Sequence, residues 1–195
     1  MYAESINLYL ADNHFQSIFL IGGSEGAIII PALYAKINEK ETIKGIISFA
    51  GGGLSMYDSG SLLSTSKRTP SGVRKEFAYT IENYDTGIEG WSHSIGVDKY
   101  GNVLRWLTSA MEFKPFEYWR NIDIPVLFLH GEKDYNVAVE STRCIQDNLP
   151  DKPFEFIYYK DMAHSPSPLP FFHEFQLSRM QNDITKWMRK VQDAG

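Results

Sequence analysis

Cysteine is almost absent from this chain, which has 195 residues and a single cysteine, Cys144. One cysteine excludes an internal disulfide and leaves no spacing typical of a zinc site. It also favours a reducing compartment such as the cytoplasm, where thiols stay unpaired. We therefore predict a fold that depends on its apolar core, and the sequence implies no metal or organic cofactor.

Basic charge and long apolar runs are scarce as well. The formal net charge is −5, and no block of like charges is present, which argues against nucleic acid as a partner. The first apolar run, residues 18–21, has the length of a strand and not the roughly 20 residues that cross a bilayer. The sequence thus predicts no membrane span, and its length suits one globular domain.

Short apolar runs alternate with amphipathic segments along the chain. Such runs are typical of strands that are buried on both faces of a parallel sheet. The predicted strands are 17–21, 43–50, 126–129 and 154–159. The predicted helices are 2–12, 27–37, 102–113, 116–121, 138–149 and 173–191. This order predicts an α/β fold, a three-layer α/β/α sandwich with a mostly parallel sheet.

Residues 54–102 interrupt the alternation with clusters of Ser, Gly, Thr and Pro that have no clean period. We predict a mostly irregular insertion there, within a lid or cap at 54–120, and a core formed by 1–53 and 121–195. The aromatic residues of the lid either cover a substrate pocket or only pack the lid onto the sheet. They are Trp91, Trp106, Phe113, Phe116, Tyr118 and Trp119.

Residues 22–26, Gly-Gly-Ser-Glu-Gly, fit the pattern G-x-S-x-G. A buried strand runs into this segment and a helix leaves it, as a nucleophile elbow requires. Glycines are expected there because neighbouring side chains would clash at a strained turn. Ser24 would then project above the sheet, and the backbone N–H of Glu25 would face a developing oxyanion. A phosphate cradle is the alternative, but the P-loop lysine and the dinucleotide glycine spacing are missing.

A serine nucleophile needs a base and a carboxylate, and both follow predicted strand ends. Asp134 lies just after the third strand and His164 just after the fourth. The order serine, aspartate, histidine is that of α/β-hydrolases. Glu132 is the alternative acid, whereas Asp161 is expected to cap its turn. The remaining histidines are expected to be structural, packing or surface residues: His14, His93, His130 and His173.

Together these elements resemble the α/β-hydrolase superfamily over essentially the whole chain. Residues 24–27, Ser-Glu-Gly-Ala, with Pro31 resemble bacterial esterases that carry an S-E-G-G element followed by proline, although Ala27 replaces a usual glycine. Residues 126–134 with Val137 resemble the strand-and-acid element of dienelactone hydrolases and acyl-thioester hydrolases. The resemblance implies a small-molecule ester or thioester substrate and acyl transfer through Ser24.

The superfamily places several strands, and the loop with a second oxyanion N–H, before the nucleophile strand. Here only about 16 residues precede that strand, so we expect a fold without its N-terminal strands. The strand near 17–21 would then be an exposed apolar edge, which predicts a homo-oligomer. Residues 51–53, three glycines, either replace the oxyanion loop or form a hinge.

Two other functions stay open at this point. Without half of an oxyanion hole, the chain could be a catalytically impaired fragment with a binding or scaffolding role. A prolyl-oligopeptidase-like peptidase is the other alternative, since such domains share the elbow and the residue order.

Overall fold

The computed structural model of the protein describes residues 2–86, 109–166 and 169–194. It contains a parallel sheet of four strands in the order β1-β2-β3-β4. The strands are β1 (Ile18–Gly23), β2 (Ile43–Phe49), β3 (Val126–Gly131) and β4 (Phe154–Tyr159). All four predicted strands are present, and the mostly parallel α/β sheet is confirmed.

Helices connect and flank the strands. They are α1 (Tyr2–Asp12), α2 (Glu25–Ala35), α3 (Met56–Thr65), α4 (Ser71–Thr86), α5 (Phe116–Trp119), α6 (Glu140–Asn148) and α7 (Pro170–Ala194). A short 3-10 turn, Lys40–Thr42, precedes β2. No helix among the described residues is both long enough and apolar enough to cross a membrane.

Two apolar layers cover the sheet, one on each face. On one face Ile46 and Phe128 pack with residues of α1, α2, α5 and α6. On the other face Ile47 and Leu127 pack against α7, mainly through Trp187. Trp187 lies so close to β2 that a Cβ at Gly45 would be 2.6 Å from its ring. The central strands β2 and β3 are therefore buried on both faces, and the result is a three-layer sandwich.

The prediction of a mostly irregular segment at 54–102 is wrong for its described part, because α3 and α4 occupy most of residues 54–86. Ser, Gly and Thr are weak helix formers, so α3 has little intrinsic signal. Tertiary packing stabilises it instead, since Gly60 lies directly against Phe77 and Ile81 of α4. The lid assignment for 54–120 stays a prediction, and residues 87–108 lie outside the described residues.

Strand β1 lies at one edge of the sheet. Within the described chain it pairs with β2 alone, and Ile21 is 62% exposed. The free backbone groups and apolar side chains of such an edge form a template for another strand. We propose, as the sequence suggested, that copies of the chain associate along this edge.

Lysine at position 21 should weaken that association, because a charge on an edge strand opposes pairing with a neighbour. We expect Ile21→Lys to shift the chain toward the monomer in light scattering over a concentration series. Leu62→Lys is the matched control, since Leu62 is also exposed, at 42%, but lies on α3. A wild-type chain that stays monomeric at high concentration contradicts the proposal.

Candidate active site

Ser24 lies at a sharp turn between β1 and α2. Its backbone has φ 55° and ψ −119°, a sparsely populated region that costs on the order of 1–3 kcal/mol. The Ser24 N–H donates to the Phe49 carbonyl oxygen at 2.9 Å, which ties the turn to the end of β2. The strained conformation predicted for a nucleophile elbow is therefore present.

The glycines of the elbow have different reasons to be there. A Cβ at Gly22 would lie 2.5 Å from the carbonyl oxygen of Gly26, so only glycine allows the end of β1 to approach α2 so closely. A Cβ at Gly26 would meet nothing within 4 Å in the described structure. A side chain would thus clash at position 22, as expected, but not at position 26.

The structure brings the three predicted catalytic side chains into one hydrogen-bonded row. The Oγ of Ser24 lies 2.9 Å from Nε2 of His164, and Nδ1 of His164 lies 2.9 Å from Oδ2 of Asp134. These residues follow β1, β4 and β3, respectively. Parallel strands end at the same edge of a sheet, so residues distant in sequence meet there.

Asp134 is a buried carboxylate with a full set of donors. Its Oδ1 accepts the backbone N–H groups of Asn136 at 2.8 Å and Val137 at 2.9 Å. Burial raises the pKa of Asp134. The hydrogen bonds from His130, from His164 and from these two N–H groups lower it by more, so the pKa lies well below its usual range. Asp134 is therefore ionised at neutral pH, and the His164 nitrogen that faces it carries the proton.

The two other candidate acids, Glu132 and Asp161, contact arginines and not His164. The carboxylate of Glu132 lies 3.5 Å from Arg143. Asp161, which the sequence analysis expected to cap a turn, forms an ion pair with Arg179 at 2.5 Å. Neither carboxylate is among the contacts of His164. His14 and His173 are exposed, and His93 lies outside the described residues.

The predicted oxyanion donor, the N–H of Glu25, is in the first residue of α2. N–H groups at a helix N-terminus stabilise negative charge, and the role of Glu25 stays a prediction. The Gly53 N–H donates to the Ser141 carbonyl oxygen at 2.8 Å. A Cβ at Gly52 would lie 2.3 Å from the same oxygen. Close packing accounts for these glycines and gives no support to an oxyanion loop or a hinge there.

A cavity of about 260 Å³ lies beside Ser24 and His164. Its apolar wall comes from α2, from the start of the insertion, from α4 and from the loop after Asp134. The apolar lining residues are Ile28, Leu54, Met56, Phe77 and Val137. Glu25, Ser55, Ser59 and Asn136 add polar groups to it.

The aromatic residues that the sequence analysis assigned to the lid lie mostly away from this cavity. Trp119 is completely buried against Phe128 and donates from Nε1 to the Gly52 carbonyl oxygen at 3.2 Å. Phe113 and Tyr118 stack on each other. These aromatic residues therefore pack the segment onto the sheet and do not cover the cavity. Trp91 and Trp106 lie outside the described residues. Met56 and Phe77, which the sequence analysis missed, line the cavity instead.

Comparison with known proteins finds one partial relative and solved structures of similar fold. No protein-family model matches the chain. A segment of 77 residues, 38% of the chain, is 32% identical to the uncharacterized peptidase YtmA of Bacillus subtilis and covers 28% of that protein. The chain thus spans little more than a quarter of this relative.

Solved structures share the fold at low sequence identity. The acylaminoacyl peptidase of Pyrococcus horikoshii matches 95% of the chain with a TM-score of 0.59 and 17% identity, but the match covers 26% of that protein. An alpha/beta fold family hydrolase from Bacillus anthracis matches 98% of the chain, with a TM-score of 0.52, 13% identity and 72% of its own length covered. The protein has the α/β-hydrolase fold, as the resemblance of its sequence implied.

Replacing Asp134 by Asn should reduce stability and flatten its dependence on pH. The pKa of Asp134 is depressed in the folded state, so its contribution is present above the unfolded carboxyl pKa of about 3.9 and is lost as pH falls below it. We expect Asp134→Asn to lower the free energy of unfolding by about 1–3 kcal/mol at pH 7 and by less at pH 3. Urea titrations of both proteins at the two pH values measure this, and an equal difference at both would contradict it.

Proposed function

We propose that the protein is a serine hydrolase that cleaves carboxylic esters or thioesters through an acyl-enzyme on Ser24. The observation that carries this proposal is the row Ser24 Oγ, His164 and Asp134, with both distances at 2.9 Å. The strained backbone of Ser24 and the α/β-hydrolase fold support it. The row supplies the nucleophile, the base and the carboxylate that nucleophilic catalysis by a serine needs.

In the first step Nε2 of His164 takes the hydroxyl proton of Ser24 while Oγ attacks the carbonyl carbon of the substrate. Negative charge develops on the carbonyl oxygen, where the N–H of Glu25 stabilises it. His164 then gives the proton to the leaving alcohol or thiol, and the carbon–oxygen or carbon–sulfur bond breaks. Water, deprotonated by His164, then attacks the acyl carbon. The bond from that carbon to Ser24 Oγ breaks, His164 returns the proton to Oγ, and the acid is released.

Asp134 has an electrostatic role in this scheme. Its ionised carboxylate holds Nδ1–H of His164, which leaves the lone pair of Nε2 directed at Ser24. The same charge stabilises the imidazolium that forms in each step. Because Asp134 is buried, this interaction is screened less than it would be in water.

Loss of the Ser24 hydroxyl should remove the activity. We expect wild-type protein to hydrolyse p-nitrophenyl acetate and to react with a fluorophosphonate at Ser24, and Ser24→Ala to lose at least about 10³-fold in rate. Labelled peptides can be mapped by mass spectrometry.

Ser59→Ala is the matched control, since Ser59 lines the same cavity but its Oγ accepts the Ala138 N–H at 2.8 Å. Labelling of Ser24→Ala at the wild-type rate would contradict the proposal. A folded wild-type chain without hydrolysis or labelling would instead favour the binding or scaffolding role.

The cavity limits the size of the acyl group in this proposal. Phe77 forms part of its apolar wall, and truncation to alanine would open space for further methylene groups. We expect Phe77→Ala to raise kcat/KM for p-nitrophenyl hexanoate relative to acetate by about 10-fold or more, because each accommodated methylene contributes to transition-state binding.

Ile81→Ala is the control for this experiment. Ile81 is four residues further along α4 and also packs against Gly60, but it is absent from the cavity lining. It should therefore change stability without changing the ratio of the two rates. An equal change in both variants would indicate a general loosening of the lid and not a substrate wall.

Peptide hydrolysis is the second candidate activity, because two of the similar proteins are named peptidases. The Ser24 hydroxyl, assisted by His164 and Asp134, can also attack an amide, which has a poorer leaving group than an ester. Comparing kcat/KM for p-nitrophenyl acetate with that for N-acetylalanyl p-nitroanilide separates the two activities. A preference for the anilide would replace the esterase assignment.

A further inference from the structure

A second histidine contacts the carboxylate of Asp134. His130 lies in β3 and is completely buried. Its Nε2 lies 3.3 Å from Oδ2 of Asp134 and 3.2 Å from the carbonyl oxygen of Val137. Its Nδ1 lies 2.7 Å from Oγ1 of Thr142. The reaction scheme above does not use this side chain.

The neighbours of Nε2 of His130 indicate that this nitrogen carries a proton. Both the Val137 carbonyl and the ionised Asp134 carboxylate only accept hydrogen bonds. An unprotonated Nε2 would place a lone pair against two acceptors inside the protein, which is unfavourable. Nε2 therefore carries a proton and donates it toward Asp134 and Val137.

The opposite nitrogen does not change this result. The Thr142 hydroxyl has one proton and two neighbours that could accept it, Nδ1 of His130 and the Gly51 carbonyl oxygen at 2.7 Å. If the proton points to Nδ1, the imidazole is neutral, and if it points to Gly51, Nδ1 is protonated as well. In both cases the N–H on Nε2 faces Asp134.

We propose that His130 is a positioning residue that sets the orientation and basicity of the catalytic carboxylate. This inference rests on the proposed function. Oδ2 of Asp134 accepts from His164 and lies 3.3 Å from Nε2 of His130, while Oδ1 accepts two backbone N–H groups. Four donors hold the carboxylate in one orientation. The N–H of His130 also withdraws charge from Oδ2, so Asp134 stabilises the His164 imidazolium less than it otherwise would.

Two substitutions at position 130 separate its two hydrogen bonds. Glutamine reaches as far as Nε2, so His130→Gln keeps an N–H near Asp134, whereas asparagine reaches only as far as Nδ1 and keeps the bond to Thr142. Thr142→Val is the control, since it removes the buried hydroxyl but leaves the Nε2–H of His130 in place. Each of the three variants changes one hydrogen-bonding group around His130. Of the three, His130→Asn alone removes the N–H that faces Asp134.

The readout is the rate constant of fluorophosphonate labelling of Ser24 between pH 5 and 9, together with the melting temperature. Labelling needs neutral His164. Asp134 is the ionisable side chain in contact with both histidines, and Glu25 also lines the cavity that holds His164. We expect the midpoint of the pH profile to move up by about half a pH unit or more in His130→Asn. His130→Gln and Thr142→Val should keep the wild-type midpoint, although Thr142→Val melts at a lower temperature.

Equal midpoints in all variants, or an equal shift in His130→Gln and His130→Asn, would overturn the proposal. The ring nitrogen chemical shifts of His130 in the wild-type protein test it independently, and an unprotonated Nε2 would also overturn it. This NMR measurement decides the matter if His130→Asn does not fold. A wild-type chain whose Ser24 is not labelled contradicts the hydrolase assignment, while the NMR result still reports on the contact with Asp134.

Discussion

The ends of the strands, the loop after β3 and His164 meet at the carboxylate of Asp134. It is buried, yet it stays ionised because four donors surround it. An isolated buried charge would be strongly unfavourable, so the donors and the charge depend on each other. The loop conformation at Asn136 and Val137 and the position of His164 both follow from satisfying this one group.

Most of the core could be predicted because its signals are local. Apolar runs such as 43–50 and 126–129 are typical of buried parallel strands, and the residues after them fall at one sheet edge by topology alone. That is why Ser24, Asp134 and His164 could be named from the sequence. The geometry that joins them needed the fold, since 140 residues separate Ser24 from His164.

The features that could not be predicted from the sequence depend on tertiary contacts. Helix α3 is rich in Ser, Gly and Thr, and its stability comes from packing against α4, which no local pattern reports. Trp119 looked like a lid residue because aromatic residues cluster before β3, but the fold buries it in the core. The sequence indicates a structural role for His130 because it ends a strand before a glycine, and its complete burial agrees with that. Its proximity to Asp134 is visible in the sequence, but the burial and the contact with Thr142 are not.

Strand β1 is both the edge of the described sheet and the segment that leads into Ser24. If copies associate along this edge as proposed, the added strand would lie beside the turn that carries Ser24. Assembly and substrate access would then be coupled through a shared boundary. In that arrangement the specific activity of the proposed hydrolase would depend on protein concentration.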